Sequence, residues 1–433
     1  MKILIISAFF PPLNSIASLR PYSWAKHWAK SGHDVSILTI PQNPSSSDSP
    51  MSLEGLNVIE VPIPGLRVIS KILGRGNTQA ASPEPSKSEA SGKSGWKNRI
   101  RKWRQNFQAE YGILSSCRMP DLLDIWGRAA FHRVKLEDWD LVVSTAGPYG
   151  VHAPAYALRS CGRAKKWIAD WRDLWVDNHI FPGLPGFRAI ERALEKRWSL
   201  RADAITTVSP PLAEALIQKY GEKVKVIYNG FDADDYDDLP PEKIFPDDGV
   251  MRIVYTGTIY PKKNDPRPLF HAIAELAAVG EISANQIQVV FCGRNTDVNE
   301  LASFAGVSEY VQCLGLVPRE DALRMQRDAA ALLFLEFQSD RVQGILSGKI
   351  FEYLFAGPPI LVLGGNSASS VGKLISETKR GALMGSDVKK IKEEILRLKK
   401  IFQKNDDRQI PVGVDLNFYS RRFQAEKMLE LIR

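Results

Sequence analysis

KILIISAFFPPLNSIASLRPYSWAKHWAKSGHDVSILTI, residues 2–40, is the stretch on which the fold turns. Ile3-Leu4-Ile5-Ile6 is an unbroken apolar run rich in β-branched residues, the pattern of a strand buried on both faces of a parallel sheet. Pro11, Pro12 and Asn14 then mark a loop. From residue 18 to 31 apolar side chains recur at helical spacing (Leu19, Tyr22, Trp24, Ala25, Trp28, Ala29), and Gly32 falls where a helix C-cap belongs. Val35-Ser36-Ile37-Leu38 reads as a second strand. Strand, helix, glycine and strand in this order make a βαβ unit, which predicts a doubly wound α/β domain.

Outward from that unit the alternation recurs at Leu141-Val142-Val143, Trp167-Ile168-Ala169, Ala204 to Val208 and Val224 to Tyr228. A polar stretch rich in Asp and Pro follows, and beyond it the pattern restarts at Arg252 to Tyr255, Gln288 to Phe291, Ala330 to Leu335 and Ile360 to Leu363. Two Rossmann-like domains result, residues 1–235 and 251–405, joined by a linker at 236–250. Phe423, Met428, Leu429, Leu431 and Ile432 predict a terminal helix within a tail at 406–433. One segment, 76–110, breaks the rhythm as a mobile insertion. Ser, Gly, Pro and Ala dominate 76–95, a composition that buries too little to order itself. Lys93, Lys97, Arg99, Arg101, Lys102 and Arg104 follow with no acid between them, while Trp96, Ile100, Trp103 and Phe107 recur at helical spacing.

Composition narrows the class. With 433 residues, 44% hydrophobic, 9% aromatic and a formal charge of +8, the chain carries ample core for two domains and is no disordered polymer. Its four cysteines form no CxxC pair and sit near no histidine cluster, so they read as reduced thiols in a cytosolic protein, with no zinc site. No apolar run approaches the roughly 20 residues of a membrane span. Lys2 and the apolar residues after it could open a secretory signal, but Pro11-Pro12 and an amphipathic helix stand where a cleavage site would be, so a first strand is the better reading.

Ligands of doubly wound sheets bind outside the carboxyl ends of the strands, so the loops there carry the chemistry. In the second domain Gly257 and Thr258 follow a strand and allow close backbone approach, with Lys262 and Lys263 available to neutralise a diphosphate; Gly293 ends the next strand. The alternative is a pair of solvated surface lysines. The densest stretch is GILSGKIFEYLFAGPPI, residues 344–360. Ser347-Gly348 can open a helix whose free N–H groups suit phosphate, Lys349 lies in its first turn, and Glu352 lies one turn on, where a carboxylate can accept ribose hydroxyls. The bland reading is a helix with a glycine stop, but a lysine so near a helix start opposes the dipole unless an anion is present. In the first domain one strand-end loop carries His152 and the next carries Asp170, Arg172 and Asp173. An aspartate there either accepts an acceptor hydroxyl proton or pairs with Arg172, and His152 either meets substrate or caps its helix.

The segment ending Gly357-Pro358-Pro359 resembles the donor-site signature of retaining GT-B glycosyltransferases of family 4, with Glu352, Gly357 and Pro359 at the matching spacing. The Pro11-Pro12 loop, Asn229-Gly230-Phe231-Asp232 and Tyr255-Thr256-Gly257 are similar to the family in outline, and the resemblance spans all but residues 76–110. It implies two Rossmann-like domains facing each other across a cleft. It also implies transfer of a sugar from a UDP- or GDP-linked donor with retention, no obligatory metal and no other cofactor. On this resemblance Glu352 binds ribose and Lys262 or Lys263 the diphosphate, alongside Gly257, Gly293, Ser347 and Gly348. Two departures stand out. The family's first glutamate is Gly344 here, and its arginine after the glycine is Thr258, which makes Lys349 the substitute cation.

The Trp96, Ile100, Trp103 and Phe107 stripe with its flanking cations fits an anionic membrane surface; the competing reading packs the stripe on the first domain. No nucleic-acid-binding module accompanies it. The expectation is a cytoplasmic enzyme, peripheral at the inner face of the cell membrane. It would extend a lipid-linked (undecaprenyl-type) or polysaccharide acceptor in cell-surface glycan synthesis, with a non-catalytic sugar-nucleotide-binding scaffold as the rival.

Overall fold

The computed structural model describes residues 1–13, 16–42, 51–65, 103, 107–108, 110–114, 116–178, 181–260, 263–294, 297–337, 346–404 and 414–433. Two parallel sheets organise it. The first contains β1 (Lys2–Ile6), β2 (Asp34–Thr39), β3 (Asn57–Glu60), β4 (Trp139–Thr145), β5 (Ala164–Arg172), β6 (Ala204–Thr207) and β7 (Val224–Val226), in the order β3-β2-β1-β4-β5-β6-β7. The second contains β8 (Met251–Thr256), β9 (Ile287–Cys292), β10 (Val311–Gly315), β11 (Ala331–Leu335), β12 (Ile360–Leu363) and β13 (Gly381–Gly385), in the order β10-β9-β8-β11-β12-β13. The order reverses beside β1 and again beside β8, which places a ligand crevice at each of those strand ends. Both sheets expected from the alternating pattern are present: β1, β2, β4, β5, β8 and β9 run a little beyond the expected runs, β12 matches its run, β6, β7 and β11 stop short, and β3, β10 and β13 add strands that the pattern did not indicate.

Helices cover both faces of the first sheet. On one face lie α1 (Ile16–Lys30) and, from the far end of the chain, the terminal helix. On the other lie α2 (Leu123–Val134), α3 (His152–Ser160), α4 (Pro185–Arg201) and α5 (Pro210–Tyr220). The second domain carries α6 (Arg267–Ala278), α7 (Val298–Phe304), α8 (Arg319–Asp328), α9 (Gly348–Ala356), α10 (Ser370–Thr378) and α11 (Val388–Gln403), and α12 (Arg421–Glu430) closes the chain. The first core is heavily indole-based: Trp126, Trp139, Trp167, Trp171 and Trp175 are all essentially inaccessible. Burying an indole removes about 150–250 Å2 from water, roughly 4–6 kcal/mol each before ordering costs.

The tail does not remain beside the second domain. Arg421 N donates to Phe231 O at 2.7 Å and Phe231 N to Tyr419 O at 3.1 Å, so the tail crosses the stretch that leaves the first domain. Ala425, Met428 and Leu429 of α12 then join Ile3, Ile5, Trp24 and Trp28 in the first core, and Trp28 Nε1 donates to Ala425 O at 3.0 Å. Of the basic-aromatic insertion, Trp96, Ile100 and the cations before Trp103 lie outside the described residues. Trp103, Phe107 and Tyr111 stack successively at 5.5 and 4.6 Å, the helical spacing expected, and Trp103 is 66% exposed.

Candidate functional site

At the C-terminal end of β8 three residues form a small cradle. Gly257 has φ +112 and Gly293, ending β9, has φ +129. A Cβ on Gly293 would meet Gly257 O at 2.3 Å, and one on Gly257 would meet Lys349 Cε and Nζ at 2.9 Å, so only glycine fits at either position. Lys349 reaches this point from the first turn of α9 and lies over the Tyr255 ring, 3.8 Å from its centroid. Enclosure by protein pulls its ammonium down to about 7, with Glu352 opposing the shift in part. No carboxylate pairs with Nζ among the described residues. Helix α9 is held by Ile350, Phe351, Tyr353 and Leu354, all buried, and Tyr353 Oη accepts from Thr256 N at 2.8 Å, tying the helix to the end of β8. Its N-cap, Ser347, makes no side-chain cap bond, so among the described residues no side-chain oxygen caps the first amides of α9. A lysine with a depressed pKa beside uncapped helix amides is a site shaped for an anion.

Glu352 sits one turn further along α9 and is not free. Arg319, opening α8, donates to its Oε1 at 3.0 Å, Arg421 approaches the same oxygen at 3.7 Å, and Arg319 also bonds Asp235 at 2.7 Å. The end of the first domain, α8, α9 and the terminal helix thus meet in one ionic knot. Both arginines converge on Oε1, and Oε2 carries no hydrogen bond among the described residues. Asp235, Arg319 and Arg421 went unseen in the sequence because their partners lie far along the chain. Thr258 lies beside the cradle and its carbonyl accepts from Tyr255 Oη at 3.0 Å. Lys263 is turned toward the Phe337 ring, 5.5 Å away, while Lys262 and Gly344 lie outside the described residues. Glu336, just past β11, also escaped the sequence reading. It accepts from Ser369 Oγ at 3.1 Å, and burial raises its pKa.

Across the cleft the first domain looks different. Asp170 is fully buried and accepts four hydrogen bonds: Arg20 Nε at 3.0 Å and Nη2 at 2.8 Å, and the hydroxyls of Thr145 and Thr206 at 2.7 Å each. Burial alone would raise its pKa, but the Arg20 charge and the two hydroxyls outweigh it and hold the carboxyl below its ordinary range. With every lone pair engaged, Asp170 has no direction left for a substrate proton; it positions β4, β5 and β6 and does not act as a base. His152 is also withdrawn. It is inaccessible, 4.3 Å from the Trp171 ring centroid, with Nδ1 2.8 Å from Ser144 Oγ, and burial lowers its pKa to about 3. It neither caps α3 through its side chain nor faces the cleft. Asp173, in the loop past β5, remains partly accessible, and its carbonyl accepts from Tyr149 Oη. Of the three first-domain candidates, Asp173 alone keeps a carboxylate with access to solvent.

That loop rests on a buried ion pair. Arg118 and Glu191 are both sealed; Arg118 Nε donates to Glu191 Oε1 at 3.1 Å, and Nη1 donates to the carbonyls of Trp175, Val176 and Phe181 at 2.7, 3.2 and 3.2 Å. Val176 N in turn donates to Glu195 Oε2 at 3.0 Å. Helix α4 is therefore the platform under the Asp173 loop.

Comparison with known proteins agrees with this architecture. Residues 18–230 match the family model described as a glycosyl transferase 4-like domain. No curated protein sequence matches the chain. Among solved structures, the chain is similar to one titled as trehalose-6-phosphate from E. coli bound with UDP-2-fluoro glucose, at 9% identity and a TM-score of 0.61, covering 99% of this chain and 98% of that one. It is similar to WaaG, a glycosyltransferase involved in lipopolysaccharide biosynthesis, at 14% identity and a TM-score of 0.54, covering 99% of each. A putative UDP-N-acetylglucosamine 2-epimerase from Listeria monocytogenes gives 15% identity and a TM-score of 0.52, covering 100% and 96%. At these identities the likeness carries the fold alone. The two parallel sheets and the match across residues 18–230 together show a chain of GT-B architecture that carries a glycosyl transferase 4-like domain.

Proposed function

We propose that the protein is a retaining glycosyltransferase that takes a sugar from a UDP- or GDP-linked donor and adds it to a lipid-linked or polysaccharide acceptor of a cell-surface glycan. The observation that carries this reading is Lys349 standing beside Gly257, itself packed on Gly293, with no carboxylate partner among the described residues and a pKa near 7. A diphosphate placed there would meet an ammonium, two glycine backbones and the uncapped amides of α9, and Glu352 Oε2 would be open to ribose. When the anomeric C–O bond breaks, its electron pair moves onto the diphosphate oxygen, and Lys349 in its protonated form offsets that charge in a part-enclosed site. The acceptor oxygen bonds the anomeric carbon, and its proton passes to Asp173 or to the departing diphosphate. Lys349 thus takes the electrostatic duty that a metal serves elsewhere, and transfer should persist in EDTA.

The acceptor side of the proposal is a cytoplasmic membrane surface, with Trp103 and Phe107 among its contacts. No described helix is long and apolar enough to cross a membrane, so the attachment proposed is peripheral. Incubation with a panel of nucleotide sugars and membrane lipid extract tests the reading. Release of a nucleoside diphosphate together with an α- or β-linked product of retained configuration supports it. Nucleotide binding without release would favour a scaffold, for which the replacement of the family's first glutamate by Gly344 is the motive.

A further inference from the structure

Helix α4 presents a face that the transfer chemistry does not use. Its two acids turn inward, Glu191 to Arg118 and Glu195 to Val176 N, Lys219 and Tyr220 Oη. Every basic residue of the helix, Arg188, Arg192, Lys196, Arg197 and Arg201, is exposed. At about 100° per residue, Ala189, Ala193 and Leu200 fall within an arc of roughly 40° on the outward side. Arg188, Arg192 and Lys196 flank this ridge on one edge, with Arg197, Arg201 and Ile190 on the other. Leu200 is 59% exposed and Ile190 48%. Arg197 is fixed in place, its guanidinium 4.8 Å over the Tyr156 ring and its Nε donating to Tyr156 Oη at 2.7 Å.

We infer that the outward face of α4, an apolar ridge between two rows of cations, docks in the headgroup plane of an anionic lipid bilayer. An in-plane helix needs both features: apolar side chains that enter the acyl boundary and cations at the phosphate level on each flank. A nucleic acid would satisfy the cations but leave Ile190 and Leu200 against water, and a second copy of the same face would set like charges against each other. The aromatic stack of Trp103, Phe107 and Tyr111 continues the surface, because it ends beside Gly112, whose Cα packs on Phe181 just ahead of α4. Docking has a consequence for the site. Because Glu195 and the Arg118–Glu191 pair fasten the Asp173 loop to α4, a helix lying on the leaflet holds that loop toward an acceptor embedded in it. The bilayer contact itself does not depend on the glycosyltransferase reading; the orientation of the acceptor does.

Flotation of the full chain with phosphatidylglycerol-containing vesicles, against pure phosphatidylcholine, tests the inference. The wild type should float with the anionic vesicles and remain in solution with the zwitterionic ones. R188E/R192E/K196E should lower the partition coefficient at least about tenfold. I190Q/L200Q, which leaves every charge in place, should lower it several-fold and make the residual binding far more sensitive to salt. Thermal melting of each variant reports that the helix still packs, and either variant alone is sufficient should the other fail to fold. Unchanged flotation of a folded variant overturns the inference. So does a wild-type dimer that I190Q/L200Q dissociates, or RNA binding that matches vesicle binding and ignores I190Q/L200Q. Nucleoside diphosphate release from donor without lipid is measured in parallel: loss of release with intact flotation strikes the proposed chemistry and leaves the docking face standing, and the reverse result does the opposite.

Discussion

The strand-end sites of the two domains carry opposite electrostatics. In the first, Asp170 is saturated: two guanidinium bonds and two hydroxyl bonds consume a carboxylate that no solvent reaches. In the second, Lys349 has an aromatic face beneath it, glycine backbone beside it and a pKa drawn down to about 7. A buried charge with all partners in place is part of the scaffold; a charge kept half-enclosed without a counter-ion is held for something that arrives. On the proposed function, substrate binding therefore concentrates on the second domain, and the first supplies the loop carrying Asp173.

The sharpest break between the two sites is their response to removal. Asp170→Ala strands Arg20 in the core and should cost about 3–5 kcal/mol of stability in urea unfolding. Lys349→Met should do the reverse. The lowered lysine pKa means that the charged form is penalised in the fold, fully below pH about 7 and progressively less as pH rises toward the ordinary lysine range. The variant should therefore be more stable than wild type, most visibly in mildly acid buffer. A Lys349→Met protein that unfolds more easily would make Lys349 a structural residue like Asp170.

Affinity should divide the same way at the next level. Lys349→Met is expected to weaken UDP or GDP binding by a factor of ten or more, in line with about 1.5–3 kcal/mol for a charge-assisted bond. Calorimetric titration measures it, and wild-type affinity would remove Lys349 from the diphosphate. Glu352→Gln should cost less, a few-fold to about tenfold, because Arg319 and Arg421 still hold the side chain and only the ribose contact weakens. An unchanged dissociation constant would assign Glu352 to the ionic knot alone. The smallest effect belongs to His152. With its pKa near 3, the unfolded chain binds a proton there between about pH 6.5 and 3 that the fold does not, so stability falls as pH drops through that window. His152→Phe should flatten that acid limb and leave the pH dependence of turnover near neutrality untouched; a shifted turnover profile would return His152 to the active site.

Much of this was legible along the chain, and the limits have a physical origin. The β-branched runs and Gly32 announced the βαβ opening, and the glycine-bounded run from Ser347 to Gly357 announced helix α9, because each is encoded within a few residues. Lys349 could be singled out because a cation in a first helical turn opposes the dipole without an anion. The burial of Asp170 and His152 is not legible along the chain because their environments come from elsewhere: Arg20 lies 150 residues away from Asp170, and Trp198 packs near His152 from a different helix. A signal was present. Arg20 interrupts the buried face of an amphipathic helix, which calls for a buried acid, and Trp167, Trp171 and Trp175 crowd the loop next to His152. The knot of Asp235, Arg319, Arg421 and Glu352 unites four distant segments, and nothing local marks it.

Donor binding as proposed depends on a diphosphate meeting Lys349. Titrating UDP and GDP into the protein near pH 8, in buffers of differing ionisation enthalpy, measures protons exchanged on binding. The apo lysine is then largely neutral and the terminal phosphate fully ionised, so binding should draw up close to one proton in wild type and none in Lys349→Met. Tight binding with no proton uptake in the wild type, or no binding of either nucleotide, would contradict it.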